Sequence, residues 1–80
     1  MKAILWTGFA RRAFRAFPAK VRSRIEAKLM RYAETGTGDV RVLLPGPGRR
    51  LRVGDYRVIF VETNEVIEIR AVGHRRDIYR

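Results

Sequence analysis

The feature that most constrains this chain is residues 50–60, RLRVGDYRVIF, where arginines and apolar residues alternate with a period of two. In an extended strand that period sends Leu51 and Val53 to one face and Arg50 and Arg52 to the other. A helix would scatter the same residues around its cylinder. Past Gly54-Asp55, a turn dipeptide, Tyr56, Val58 and Phe60 share one face and Arg57 lies opposite. A second turn is expected at residues 62–65, where Asn64 is suited to positive φ. The apolar run 66–72 then reads as a further strand, followed by Gly73, His74, Arg75, Arg76 and, near the end, Tyr79. Such a sheet has one face for a core and an opposite face studded with arginine. Guanidinium groups are planar, bind phosphate in a bidentate manner and stay charged near neutral pH, so this face is expected to touch phosphates.

The rest of the chain supplies the layer that covers the apolar face. Residues 2–6 read as a short strand, with Ile4 and Trp6 pointing one way. Thr7 can cap a helix over residues 8–17, which places Ala10, Ala13, Phe14 and Phe17 on one side and Arg11, Arg12 and Arg15 on the other. Pro18 separates it from a second helix over residues 19–34, whose apolar stripe is Val21, Ile25, Leu29 and Tyr32. Gly36 suits a left-handed cap at its end. Residues 40–44 are extended, and the prolines and glycines of residues 45–48 make a loop. The order predicts an α+β domain over residues 1–80: an N-terminal strand, a two-helix hairpin, and an antiparallel meander. Together these make a roughly four-stranded sheet with both helices on one face.

Eighty residues allow one core. The absence of cysteine excludes disulfides and a thiolate zinc site, and a single histidine argues against a histidine metal cluster. No metal or other cofactor is therefore expected. The apolar run at residues 3–6 is too short for a signal peptide or a membrane span, so a cytoplasmic location away from membranes is expected. Eighteen basic residues against eight acidic ones give a net charge of +10, which calls for a polyanionic partner.

The strand–helix–helix–meander order, LRVGDYRVIF, the isoleucine-rich strand after it and the closing VGHRRDIYR resemble the RelE/ParE superfamily of bacterial toxins, most closely its RelE branch. The resemblance spans essentially the whole chain. It implies a small ribonuclease that cuts messenger RNA in the ribosomal decoding site, in contact with ribosomal RNA, and is held inactive by a cognate antitoxin. By position, Arg50 and Arg52 match the two basic residues on the branch's second strand. Arg57 matches the arginine after the aromatic residue of the third, Arg75 the arginine after the fourth, and Tyr79 the C-terminal tyrosine. In the family these groups bind the scissile phosphate and polarise the attacking 2′-hydroxyl. Here the turn between Arg52 and Arg57 is shorter, and arginines stand where the branch often has lysines.

That last difference bears on the chemistry. Metal-free RNA cleavage needs a base for the 2′-hydroxyl, positive charge for the phosphorane and an acid for the leaving 5′-oxygen. Arginine serves the second role and is a poor base. Proton transfer is then expected from Tyr79, the candidate that the resemblance implies, whose phenol nearby cations should lower, or from His74. The candidate catalytic set is Arg52, Arg57, Arg75 and Tyr79, with Arg50, His74 and Arg76 as further phosphate contacts. Arg57 and Arg75 could instead be ion-pair partners of Asp55 or Asp77, and His74 a hydrogen-bonding residue at a strand end. Two other functions share the fold pattern: inhibition of DNA gyrase, as in ParE-like relatives, and inactive RNA binding. Any antitoxin is expected to be acidic where it meets the helix arginines Arg11, Arg12 and Arg15 or the C-terminal ones.

Overall fold

The computed structural model describes residues 1–78. Strand β1 (Ala3–Trp6) leads into helices α1 (Gly8–Arg15) and α2 (Ala19–Thr35), followed by β2 (Val40–Val42), β3 (Arg49–Val53), β4 (Tyr56–Glu62) and β5 (Val66–His74). The strands form one five-stranded sheet in the order β1-β5-β4-β3-β2. β1 runs parallel to β5, and every other pairing is antiparallel. The α+β arrangement matches the reading from sequence, with one strand added. The extended segment after α2 hydrogen-bonds to the edge of the meander, Val40 opposite Leu51 and Arg41 opposite Arg50.

The helix ends follow from local chemistry. The Thr7 hydroxyl accepts from the Ala10 N–H at 3.2 Å, closing the start of α1. α1 stops at Arg15, two residues before the expected end at Phe17. Proline disfavours helical geometry in the residue before it, so Pro18 pulls Phe17 out of the helix. Gly36 caps α2 at φ 74°. The turn after β4 is built differently from expectation: no non-glycine residue among those described has positive φ, so Asn64 does not supply it. Instead the Thr63 hydroxyl accepts from the N–H groups of Glu65 and Val66, at 3.2 and 3.1 Å.

Both helices cover one face of the sheet, and the core lies between. Ala10, Ile25, Leu29 and Ala33 from the helices meet Leu51, Val53, Val58, Phe60, Ile67, Ile69 and Val72 from the strands. Each large side chain buried here contributes roughly 1.5–3 kcal/mol. Strict alternation would send Ile67 and Ile69 inward and Val72 outward. A β-bulge solves this: Ile59 pairs with Ala71 but Phe60 pairs with Ile69, leaving Arg70 as an extra residue on β5. After the bulge Val72 and His74 point toward the helices, while Ala71 and Gly73 share the open face with Ile59 and Arg57.

A polar cluster ties three elements, α2, β3 and β4, to the residue before β1. The Glu62 carboxylate takes hydrogen bonds of 2.5 Å from both Lys2 Nζ and the Tyr32 hydroxyl, and Arg49 Nε lies 3.6 Å away. Burial and the bond to ionised Glu62 push the Tyr32 hydroxyl up to about 12. For Glu62 itself burial acts upward. The hydrogen bonds from Lys2 and Tyr32, with the charges of Lys2 and Arg49, outweigh it and hold the carboxyl below its ordinary range. A depressed carboxyl stabilises the fold above the unfolded-state value of about 4.3 and loses that contribution as pH falls through the folded value. Glu62→Gln should therefore lower stability at pH 7 and flatten the acid limb of stability against pH. Tyr32→Phe should cost about 1.5–3 kcal/mol, as for a hydrogen bond to a charged group. Urea titrations at stepped pH check both, and an unchanged acid limb in Glu62→Gln would remove the cluster from the account.

Candidate nucleic-acid interface

The site begins with register. A two-residue turn, Gly54-Asp55, joins β3 to β4, with Gly54 at φ 58°. A side chain would be strained there, which is why glycine stands at this position. So tight a turn fixes Val53 opposite Tyr56 and hence Arg52 directly opposite Arg57. Two residues further along β3, Arg50 lies opposite Arg41 of β2. The open face thus carries two like-charged cross-strand pairs side by side, an arrangement that destabilises a sheet.

Local contacts offset part of that repulsion. Arg57 Nη1 donates to the carbonyls of Gly54 and Tyr56, at 2.7 and 2.9 Å. These bonds hold the guanidinium over the turn while leaving its other N–H groups for a ligand. Arg52 Nη1 stands 3.9 Å from the Asp39 carboxylate, and its backbone N–H donates to the Asp39 carbonyl at 2.9 Å. The Arg52 side chain is 58% exposed, so this pair is weak and easily exchanged for another anion.

The end of β5 brings Arg75 to the same turn. Its backbone N–H donates to the Asp55 carbonyl at 2.7 Å, and its Nε is 3.7 Å from the Asp55 carboxylate. Asp55 is therefore the ion-pair partner anticipated for Arg75. The chain then turns back on itself, Asp77 and Ile78 donating to the His74 carbonyl at 2.9 and 3.0 Å. Ile78 folds over Gly73, where an added Cβ would lie 3.3 Å from Ile78 Cδ1. Gly73 is the cross-strand neighbour of Arg57. Its missing side chain lets the C-terminal turn lie close against the arginine face.

Arg50, Arg52, Arg57 and Arg75 are thus gathered on or beside one end of the open face, with Arg41 added to them. Arg41 is not among the residues that the sequence singles out. Its signal is Val40-Arg41-Val42, an apolar–arginine alternation like that of β3, but too short to show which face it joins. His74 goes elsewhere. It pairs with Tyr56 on the helix side, its ring edge-on to Tyr56 at 5.4 Å, and Tyr56 in turn meets Phe17 at 5.1 Å. Its Nδ1 accepts from the Arg76 backbone N–H at 3.2 Å, and the Arg76 side chain is exposed. Tyr79 lies outside the described residues.

The opposite layer has a surface feature of its own. A cavity of about 370 Å³ opens between α1 and α2, lined by Trp6 and Phe14 with Arg11, Arg15 and Arg22 around it. Trp6 and Phe14 pack at 4.6 Å between ring centres, so Trp6 belongs to the helix-side packing. A smaller hollow beside Ile4, Leu29 and Met30 shares Trp6 and Glu26 with it. No described helix is long and apolar enough to cross a membrane.

Known proteins place this geometry in context. No curated protein matches the chain by sequence. Among solved structures it is similar to the RelE–RelB complex of Pyrococcus horikoshii OT3 (TM-score 0.79, 21% identity, 95% of this chain and 97% of that one). It is also similar to the RelB–RelE antitoxin–toxin complex of Methanococcus jannaschii (TM-score 0.77, 22% identity, 94% of both chains). The YoeB dimer of Staphylococcus aureus shares the fold as well (TM-score 0.78, 16% identity, 91% of this chain and 95% of that one). At these identities the likeness concerns the fold. The family itself is given by sequence: the model of the ParE toxin of type II toxin–antitoxin systems, parDE, matches residues 4–79. The chain belongs to that family, within the RelE/ParE superfamily of toxins.

Proposed function

We propose that this toxin is a ribosome-dependent messenger-RNA endonuclease, acting without a metal through 2′-hydroxyl attack. The observation that carries the reading is the pair of like-charged cross-strand rows, Arg52 opposite Arg57 and Arg50 opposite Arg41. A polyanion lying across those pairs would relieve their repulsion, which supports a phosphate-bearing ligand. In the proposed reaction Arg57 and Arg75 hold the non-bridging oxygens of the scissile phosphate and stabilise the phosphorane as negative charge builds there. Arg50 and Arg52 hold a flanking phosphate, and Arg76 lies at the margin. The 2′-oxygen bonds to phosphorus while the bond to the 5′-oxygen breaks. The 2′-hydroxyl proton leaves to a base and the 5′-oxygen receives one. Because the His74 ring faces the helices, Tyr79, the group that the resemblance to the RelE branch points to, is the proposed proton-transfer group.

The partner that restrains the toxin is proposed to be an acidic antitoxin. Its apolar residues would enter the groove beside Trp6 and Phe14, and its carboxylates would meet Arg11, Arg15 and Arg22. Arg12, exposed on α1, adds to the same field. A cytoplasmic site of action follows from a ribosomal target.

Induction in bacteria tests the reading against its alternatives. A nuclease stops translation early and leaves transcripts cut at codon-spaced positions. Filamentation with DNA damage would mean gyrase inhibition, and unimpaired growth an inactive RNA binder. Arg57→Ala and Arg75→Ala should each fold normally and lower single-turnover cleavage on programmed ribosomes by roughly a hundredfold or more. A folded variant that still arrests growth at wild-type dose would remove that residue from the site. Tyr79→Phe keeps the ring and deletes only the hydroxyl, and it should slow cleavage by a similar factor of about a hundred. Unchanged cleavage would remove the tyrosine from the reaction and point to His74. For the antitoxin, association should slow steeply as salt rises while dissociation stays nearly constant. An association rate indifferent to ionic strength would contradict the electrostatic account.

A further inference from the structure

The Gly54-Asp55 turn is approached by a third guanidinium, from the helical layer. A Cβ built on Gly54 would lie 3.0 Å from Arg24 Nη2, 3.7 Å from its Cζ and 3.9 Å from Nη1. Arg24 therefore rests against the same residue whose carbonyl accepts from Arg57 at 2.7 Å, one position before the carboxylate that Arg75 approaches at 3.7 Å. Three cations from α2, β4 and the end of β5 converge on one turn that carries a single acid, Asp55.

The setting of Arg24 on its own helix points outward from this turn. Lys20, Arg24 and Lys28 follow one another at four-residue spacing, one position before the buried or packed Val21, Ile25 and Leu29. They form a ridge beside the apolar stripe. None of the three has an acidic residue three or four positions away. Like charges at that spacing oppose helix formation, so the ridge works against α2 rather than for it. The acids of α2, Glu26 and Glu34, stand four residues after Arg22 and three after Arg31, and relieve those positions instead.

We infer that Arg24 is an RNA-binding residue, and that the substrate strand leaves the arginine face across the Gly54-Asp55 turn and runs onto the Lys20–Arg24–Lys28 ridge. Arg24 holds the phosphate adjacent to the one held by Arg57 and Arg75, and Lys28 extends the track. The inference rests on the phosphate-binding reading of the open face and adds the direction in which the strand departs. Nothing in the sequence alone links Arg24 to the sheet arginines. It becomes visible through the close approach at Gly54.

The test uses the purified toxin and a short RNA oligonucleotide methylated at every 2′-oxygen, which binds but cannot be cleaved by 2′-hydroxyl attack. Fluorescence anisotropy gives the slope of log K against log salt. For a single strand, each phosphate that the protein ceases to neutralise should reduce the magnitude of that slope by about 0.7. Arg24→Ala should show that reduction, and Arg24→Ala with Lys28→Ala a larger one. Arg31→Ala, the same charge removal at the far end of α2, should leave the slope at wild type. If Arg57→Ala lowers the slope while Arg24→Ala does not, or matches Arg31→Ala, the inference is wrong and the reading of the open face stands. If Arg57→Ala also leaves the slope unchanged, the open face does not bind phosphate and both fail.

Discussion

The Gly54-Asp55 turn is the constraint on which the rest of this molecule depends. Two residues suffice to reverse the chain because Gly54 takes a left-handed conformation that residues with a side chain rarely adopt. Its length fixes the β3–β4 register, and the register sets Arg52 against Arg57 and keeps Leu51 and Val58 together in the core. The same few atoms then organise the site. The Gly54 carbonyl orients Arg57, the Asp55 carbonyl and carboxylate receive Arg75, and the Gly54 α-carbon offers room to Arg24. A longer turn would loosen all three at once, since a slip of one residue would carry the arginines to the helix side and the core residues to solvent.

Stability and the proposed function draw on opposite faces of one sheet. The helix side contributes burial and the Glu62 cluster, which joins α2, β3 and β4 to Lys2, just before the first strand, through Tyr32 and Arg49. The open side contributes repulsion. At Arg52 the pair with Asp39 relieves it only weakly, because exposed ion pairs at such distances contribute about 0–1 kcal/mol. On the proposed reading, a face left in that condition binds an anion by relieving its own strain. The groove between α1 and α2 lies in the helical layer, on the other side of the sheet from the arginine rows. On the proposed reading, an antitoxin seated there acts by blocking the approach to the ribosome rather than by covering the arginine rows.

Much of this architecture is legible in the sequence because it is local. Thr7, Pro18 and Gly36 mark helix ends through backbone chemistry that acts over a few residues, and the alternation of residues 50–60 assigns faces without any partner strand. What escapes such a reading is set by pairing at long range. The bulge at Arg70 reverses the faces of β5 only because Val72 must join a core assembled by α1 and β4, and nothing in IEIRAVGH marks the shift. That reversal also decides the side of His74. Arg41 gains its meaning from lying opposite Arg50, Glu62 from meeting residues thirty and sixty positions away, and Arg24 from touching a turn on another layer. Tyr79 rests on the resemblance to the RelE branch.

At the centre of the proposed function, the arginine face stabilises a phosphorane formed by the message's own 2′-oxygen. The most direct measurement is the chemistry of the ends left on a messenger RNA programmed into ribosomes and exposed to the purified toxin. Attack by the 2′-oxygen with departure of the 5′-oxygen predicts a 2′,3′-cyclic phosphate on the upstream fragment and a free 5′-hydroxyl on the downstream one. Uncut message, or fragments carrying a 3′-hydroxyl and a 5′-phosphate as water attack would leave, would contradict the account.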